Sequence, residues 1–188
     1  MNFIKTEIPG VVILEPQIFG DNRGYFCETF RENQFIENVC NTRFIQDNES
    51  SSTGGVLRGL HYQLHPYSQS KLVRVIEGEV YDVAVDIRKG SPTFGKYAGV
   101  ILSAENKRQF FIPRGFAHGF LVLSEHATFV YKCDNYYNKA SERGIRFDDP
   151  DLNIQWPKTN FKLNLSDKDL AAANLKNADL FNFTDKLY

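Results

Sequence analysis

The sequence predicts a mainly β fold, an antiparallel sandwich or barrel, on three observations. Sixteen Phe and nine Tyr stand against one Trp and one Met, and aromatic side chains suit a pleated, half-buried surface. From Val56 to Asn135, short apolar runs alternate with turn formers at the spacing of packed antiparallel strands. No periodic helix separates those runs, which argues against a parallel βαβ design. The chain has 188 residues, 42% of them hydrophobic, enough for one domain with a sizeable core. We expect a single domain over 1–188, its β core at about 10–157 and a short helix and tail at 158–188.

The first strand is expected at Val11–Leu14, an apolar run closed by Pro16, before a turn at Gly20–Gly24 that carries Arg23. Tyr25–Phe30 reads as the next strand. Arg31–Asn38 is polar enough for one or two helical turns packed through Phe35 and Ile36, and Ser50–Gly55 reads as a solvated loop. Alternation is clearest over Glu79–Arg88. Tyr81, Val83, Val85 and Ile87 share one face there and Asp82, Asp86 and Arg88 the other, which predicts one core face and one facing water or a ligand. Turns at Lys89–Pro92, Ser103–Asn106 and Pro113–Gly115 divide the later strands. After Trp156–Pro157, Ser166 followed three residues on by Asp169 marks a helix start, and Leu170, Leu175 and Ala178 give it an apolar stripe for docking.

Charge and cysteine usage narrow the function. Twenty-two basic against twenty-three acidic residues, a net charge of -1 and no dense Lys/Arg run argue against a nucleic-acid polymer or an anionic membrane as partner. Met1–Glu7 lacks the pattern of a signal peptide, and no apolar stretch approaches bilayer length. A cytoplasmic protein is expected. Cys27, Cys40 and Cys133 are odd in number and widely spaced, a pattern of reduced thiols rather than of a disulfide framework.

Four residues stand out as candidates for chemistry. By strand parity His61 points with Gly59 and Gln63, opposite Arg58, Leu60 and Tyr62, and the glycine beside it leaves room for a ligand. Lys71 shares its face with Val73 and Val75, where a lysine is seldom placed unless paired or functional. Tyr131 lies on a face with Phe129 and Cys133, a position that packing alone would explain. His118 follows Pro113 and Gly115 in a Pro-x-Gly-x-x-His spacing that resembles the second half of the cupin motif pair, the mark of a small double-sheet jelly roll. The first half departs from the metal-binding cupins, with His61-Tyr62-Gln63 where they carry His-x-His. A metal held by His61, His65, Glu77 and His118 is disfavoured because open sites need convergent ligands. Asp169, besides capping a helix, is suited to orienting a histidine, and dispersed cations such as Arg23, Arg58, Lys71 and Lys168 would suit a diphosphate if they converged.

Taken together, Asp21–Phe26, Val56–Gln63, Lys71–Arg74, Gly78–Asp86, Ser91–Gly95, Leu102–Asn106, Ile112–Phe120 and Asn135–Tyr137 closely resemble the dTDP-4-dehydrorhamnose 3,5-epimerases, a branch of the cupins. The resemblance spans most of residues 10–170. It implies a cupin-type jelly roll with short peripheral helices and inversion at C3 and C5 of a dTDP-linked 4-keto-6-deoxyhexose, with no redox cofactor and no metal. It also implies His61 as base, Lys71 beside the ketone oxygen, Tyr131 as acid on the opposite face, and Asp169, or less securely Asp167, as partner of His61. By the same resemblance Arg23, Glu28, Gln46, Asp47, Asn48, Arg58, His118, Glu142 and Lys168 contact the nucleotide sugar and Tyr137 stacks on the thymine. A homodimer is implied, the N-terminal segment of each copy reaching across to the other. Related enzymes invert only C3, or act on GDP-linked or antibiotic-pathway sugars, and a metal-dependent cupin isomerase or dioxygenase or a non-catalytic sugar-binding cupin are the competing classes. Phe110–Phe111 stands where members of that family vary in aromatic content, and the Asn/Ala/Leu-rich tail after Asp169 carries no family motif.

Overall fold

Period-two alternation over most of the chain produces two facing antiparallel sheets. The computed structural model describes residues 1–188. Its elements run in order as β1 (Asn2–Lys5), β2 (Val12–Glu15), β3 (Ile18–Asp21), β4 (Gly24–Cys27), α1 (Glu32–Asn38), β5 (Gln46–Thr53), β6 (Leu57–Gln63), β7 (Lys71–Glu77), β8 (Glu79–Asp86), β9 (Arg88–Lys89), β10 (Tyr97–Ser103), β11 (Gln109–Ile112), β12 (Phe116–Val122), β13 (His126–Cys133), β14 (Glu142–Gly144), α2 (Asp167–Leu170) and β15 (Phe181–Asn182). A six-stranded sheet, β1-β2-β11-β7-β13-β5, lies against a five-stranded sheet, β10-β8-β12-β6-β14, as a jelly roll. No helix is long and apolar enough to cross a membrane.

The space between the sheets is filled by Val73, Val75, Phe110, Ile112 and Phe129 from one and Val80, Ala84, Phe120 and Val122 from the other. Phe120 and Phe129 stack across this layer with centroids 4.3 Å apart. Each fully buried ring of this kind stabilises the fold by roughly 2–3 kcal/mol. Consecutive strand residues point to opposite faces, so Phe111 leaves this core and meets Phe35, Val12, Leu14 and Leu72 in a second cluster beneath α1. Phe35 is the packing residue of α1, as expected, whereas Ile36 is exposed.

Four expectations need correction. Ser50–Thr53 is strand, not loop. It forms the end of β5 and pairs with Phe129–His126 of β13, its polar composition reflecting a sheet edge with one face in water. In β8 both faces are buried. Val80, Asp82, Ala84 and Asp86 turn to the opposing sheet, while Val83, Val85 and Ile87 pack under Leu152, Leu175, Phe181 and Leu187 of the C-terminal segment. That segment is not a docked helix but an extended strap, because α2 stops after four residues, Leu170 stays exposed and Leu175 is buried in a separate 3-10 turn. Two further elements escape a search for long apolar runs: β1, which edges the six-stranded sheet through β2, and the short parallel pair β9–β15. The strand expected over Tyr25–Phe30 is shorter, ending at Cys27, and Phe30 turns inward against Phe35 and Phe44.

Candidate active site

One end of the sandwich is left unfilled, and the polar residues of the inner faces gather there. A cavity of about 340 Å³ is lined by Gln46 and Asn48 of β5, His61 and Gln63 of β6, Lys71 of β7, Tyr131 and Cys133 of β13, Tyr137 and Glu142, together with Gln69 and Tyr62. His61 belongs to the five-stranded sheet. Lys71 and Tyr131 stand on neighbouring strands of the six-stranded sheet, where Cys133 pairs with Lys71 and Tyr131 with Val73.

A bulge aims β6. His118 pairs with His61, but Phe120 pairs with Arg58, so two residues, Gly59 and Leu60, oppose the single Gly119. The extra residue reverses the parity expected from simple alternation. Arg58 therefore shares the inner face with His61, and its Nε donates to Ser52 Oγ of the opposite sheet at 3.1 Å. Gly59 serves backbone packing rather than ligand approach: its φ is +123°, and a Cβ there would lie 2.5 Å from Gly119 Cα.

His61 Nε2 lies 2.6 Å from Asp169 Oδ1. Asp169 is held in turn by Ser166, whose hydroxyl donates to Oδ2 at 2.6 Å and accepts from the Asp169 amide at 3.2 Å. The expected capping role and the histidine-orienting role thus coexist in one residue, and Asp167 takes no part in the pair. Burial works against ionisation of Asp169, yet the hydrogen bonds from His61 and Ser166 outweigh it and hold the carboxyl at about 2. An ionised carboxylate only accepts, so in the neutral imidazole of His61 the proton sits on Nε2 and the lone pair on Nδ1.

The folded pKa of Asp169 lies below its ordinary 3.8, so its contribution to stability is complete above that value and is lost as pH falls from there toward 2. A shift of this size corresponds to about 2 kcal/mol. Asp169→Asn should therefore lose close to that amount in urea unfolding at pH 7 and about half of it at pH 3. Equal losses at both would contradict the linkage.

Beneath His61, His118 is buried and its Nε2 is 2.9 Å from Asp82 Oδ1. Burial pulls His118 below the ordinary imidazole range, against the opposing pull of Asp82. Its ring stacks on Phe129 at 6.1 Å. Lys71 is also pushed down by burial, while the charges of Cys133, Asp82 and Glu142 counter the shift. Tyr131 is pushed up by burial, so its phenol keeps its proton at neutral pH.

The rim is built on β14 and α2. Glu142 accepts from Tyr137 at 3.0 Å and pairs with Lys168 at 2.5 Å. The single turn of α2 therefore reaches both Glu142, through Lys168, and His61, through Asp169. Gln63, not singled out from sequence, donates to the carbonyls of Tyr67 and Tyr136 and accepts from the Asn138 amide, which fixes the segment carrying Tyr137. Asp82 also went unrecognised. Alternation alone put it on the β8 face expected toward water or a ligand, and the register of β8 on β12 places that face inward beside His118.

Arg58, His118 and Lys168 are not among the residues that line the cavity, though they stand on its inner face, beneath His61 and at its rim. Three further expected contacts lie away from it in one chain. Asp47 points outward and ion-pairs Lys132 at 2.9 Å, because alternation along β5 turns only Gln46 and Asn48 inward. Arg23 is paired with Asp21 on the exposed β3–β4 hairpin, and Glu28 with Arg31. Nor do His61, His65, Glu77 and His118 converge. Glu77 pairs with His126 at the surface, His65 is exposed, and no three His, Cys, Asp or Glu side chains group as metal ligands.

A family model described as dTDP-4-dehydrorhamnose 3,5-epimerase matches residues 5–177. The enzyme of that name from Shigella flexneri is 61% identical over 182 residues, 96% of this chain and 99% of the relative. The crystal structure of dTDP-6-deoxy-D-glucose-3,5-epimerase from Legionella pneumophila Philadelphia 1, in complex with dTDP-4-keto-L-rhamnose, is similar with a TM-score of 0.94 and 53% identity, over 98% of this chain and 99% of that one. A 3'-monoepimerase from Streptomyces bikiniensis in complex with dTDP-quinovose is similar with a TM-score of 0.86 and 36% identity, over 92% of this chain and 87% of that one.

Proposed function

The chain belongs to the dTDP-4-dehydrorhamnose 3,5-epimerase family, and from that premise we infer how its residues divide the work. It is an isomerase that converts dTDP-4-dehydro-6-deoxy-D-glucose to dTDP-4-dehydro-L-rhamnose by inversion at C3 and C5. Both hydrogens are α to the C4 ketone, so loss of either as a proton leaves an enolate with its charge on the C4 oxygen. His61, with its lone pair on Nδ1, takes the proton. The ammonium of Lys71 faces the developing oxyanion, where a fixed charge in a partly dry site acts most strongly. Tyr131 delivers a proton to the opposite face of the carbon, as inversion requires. His61 then releases its proton to water and Tyr131 regains one, which readies the site for the second centre.

The observation that carries this reading is the placement of base and acid on facing walls: the His61–Asp169 pair on the five-stranded sheet, and Tyr131 beside Lys71 on the six-stranded sheet. Proton NMR in heavy water tests it, because each turnover must wash deuterium into C3 and C5. Tyr131→Phe keeps the base and removes the acid, so C3 exchange should persist within about tenfold of normal while L-rhamno product falls by about 10²-fold or more. Exchange lost in step with product in Tyr131→Phe would make Tyr131 the base and overturn the two assignments.

The nucleotide is assigned to the rim and its surroundings: Tyr137 to the thymine, and Gln46, Asn48, Arg58, His118, Glu142 and Lys168 to the sugar and diphosphate. Arg23 and Glu28 are assigned to the cavity of a second copy. The β3–β4 hairpin exposes Phe19, Tyr25 and Phe26, the last 68% exposed, an apolar surface suited to pairing with another chain. A sedimentation mass of one chain would remove this assignment. We read residues 1–188 as one epimerase domain, and the free thiols of Cys27, Cys40 and Cys133 favour a reducing compartment such as the cytoplasm.

A further inference from the structure

Lys71 is the first residue of β7, where a strand is least constrained by its ladder, yet its ammonium must be held against one oxygen. Behind it the chain is braced from several directions. Ser70 is wholly buried, and its amide donates to Asp134 Oδ1 at 2.6 Å. The other oxygen of Asp134 accepts from Arg114 Nε at 3.0 Å and from Thr42 Oγ1 at 2.8 Å. The last residue closes the group. Tyr188 Oη shares a 2.6 Å hydrogen bond with Ser70 Oγ and accepts from the Arg114 amide at 3.2 Å. Arg114 lies 5.1 Å over the Tyr188 ring and donates to the Leu187 carbonyl at 2.6 Å. Tyr188 as a residue is 60% exposed, and its hydroxyl reaches in to Ser70 and the Arg114 amide.

We propose that Tyr188 is a positioning residue for Lys71: its phenol fixes Ser70 and the Arg114 loop, and thereby the start of β7 from which the ammonium projects. The inference rests on the oxyanion role given to Lys71. It assigns the end of the strap a catalytic consequence beyond its apolar cover of the outer sheet. Displacement of a charge by a fraction of an ångström weakens transition-state contacts more than ground-state binding.

The test compares Tyr188→Phe, Ser70→Ala and their combination with Lys71→Met, each assayed for kcat, KM, the alkaline limb of kcat and unfolding temperature. Tyr188→Phe keeps the ring over Arg114 and removes only the hydroxyl. It should lower kcat by about five- to tenfold with KM within about twofold, move the alkaline limb, and leave the unfolding temperature within a few degrees. Ser70→Ala should reproduce this, and the double variant should be no worse than either single one. Normal kcat and limb in Tyr188→Phe, with Lys71→Met impaired, overturn the inference alone. Unimpaired Lys71→Met overturns the role of Lys71 and the inference with it.

Discussion

Replacing His61 with Asn should abolish solvent exchange at C3 and C5 together and lower kcat by about 10²- to 10⁴-fold, the range that loss of a positioned base produces. The joint loss is the informative part. Of the four histidines in the chain, only His118 also lies close to His61, and it is buried with its Nε2 turned to Asp82, so no second imidazole can take over one centre. Both α-hydrogens must then visit the same nitrogen in succession. Loss of exchange at one carbon with survival at the other would require a second base and would break this scheme. The amide of Asn takes the place of Nδ1 and falls short of Asp169, which keeps the Ser166 hydroxyl as donor. His61→Gln, whose amide extends to the Nε2 position, is therefore the companion variant that removes the base and retains the contact. The unfolding temperature should consequently change little in His61→Gln while the rate collapses in both variants.

Much of this arrangement was legible in the residues, for reasons that also explain what was not. The β class followed from aromatic content and from short apolar runs between turn formers, which hold whether one face of a strand is buried, as in β5, or both, as in β8 and β12. Lys71 was found as a charge on an apolar face, a costly placement that points to use; His61 was read beside Gly59 and Gln63, and Tyr131 drew its role from the resemblance. Where the reading failed, the cause was non-local. A single bulge opposite Gly119 moved Arg58 to the inner face, and bulges leave no mark in the hydrophobic pattern of their own strand. The edge strand Ser50–Thr53 looked like a loop because one of its faces meets water. The buried outer face of β8 depends on a strap that arrives some ninety residues later, at Leu175 and Phe181. Asp169 was reached from its local capping pattern, but its 2.6 Å contact with His61 spans 108 positions in the chain. That contact came from resemblance and geometry, not from spacing.

Lys71→Met should lower kcat by about 10²- to 10³-fold, the cost of losing one donor to a developing oxyanion, and at the same time should make the protein more stable. The two effects have one cause. Burial pushes the Lys71 ammonium below its ordinary 10.5, which means that the native fold holds this charge less comfortably than water does. Between the lowered folded value and 10.5 the unfolded chain binds more protons than the native one, so stability rises with pH through that window and the penalty is present in full below it. Methionine matches the stem of lysine without the charge and removes the penalty at neutral pH. Activity runs the other way, because only the protonated amine stabilises the enolate, so kcat of the unaltered enzyme should decline on an alkaline limb centred below the range of a free lysine. In Lys71→Met that limb should vanish along with most of the rate, while the unfolding temperature at pH 7 rises. A limb that persists unchanged in the variant belongs to another group, and a rate that survives the substitution would leave the enolate oxygen without its proposed partner.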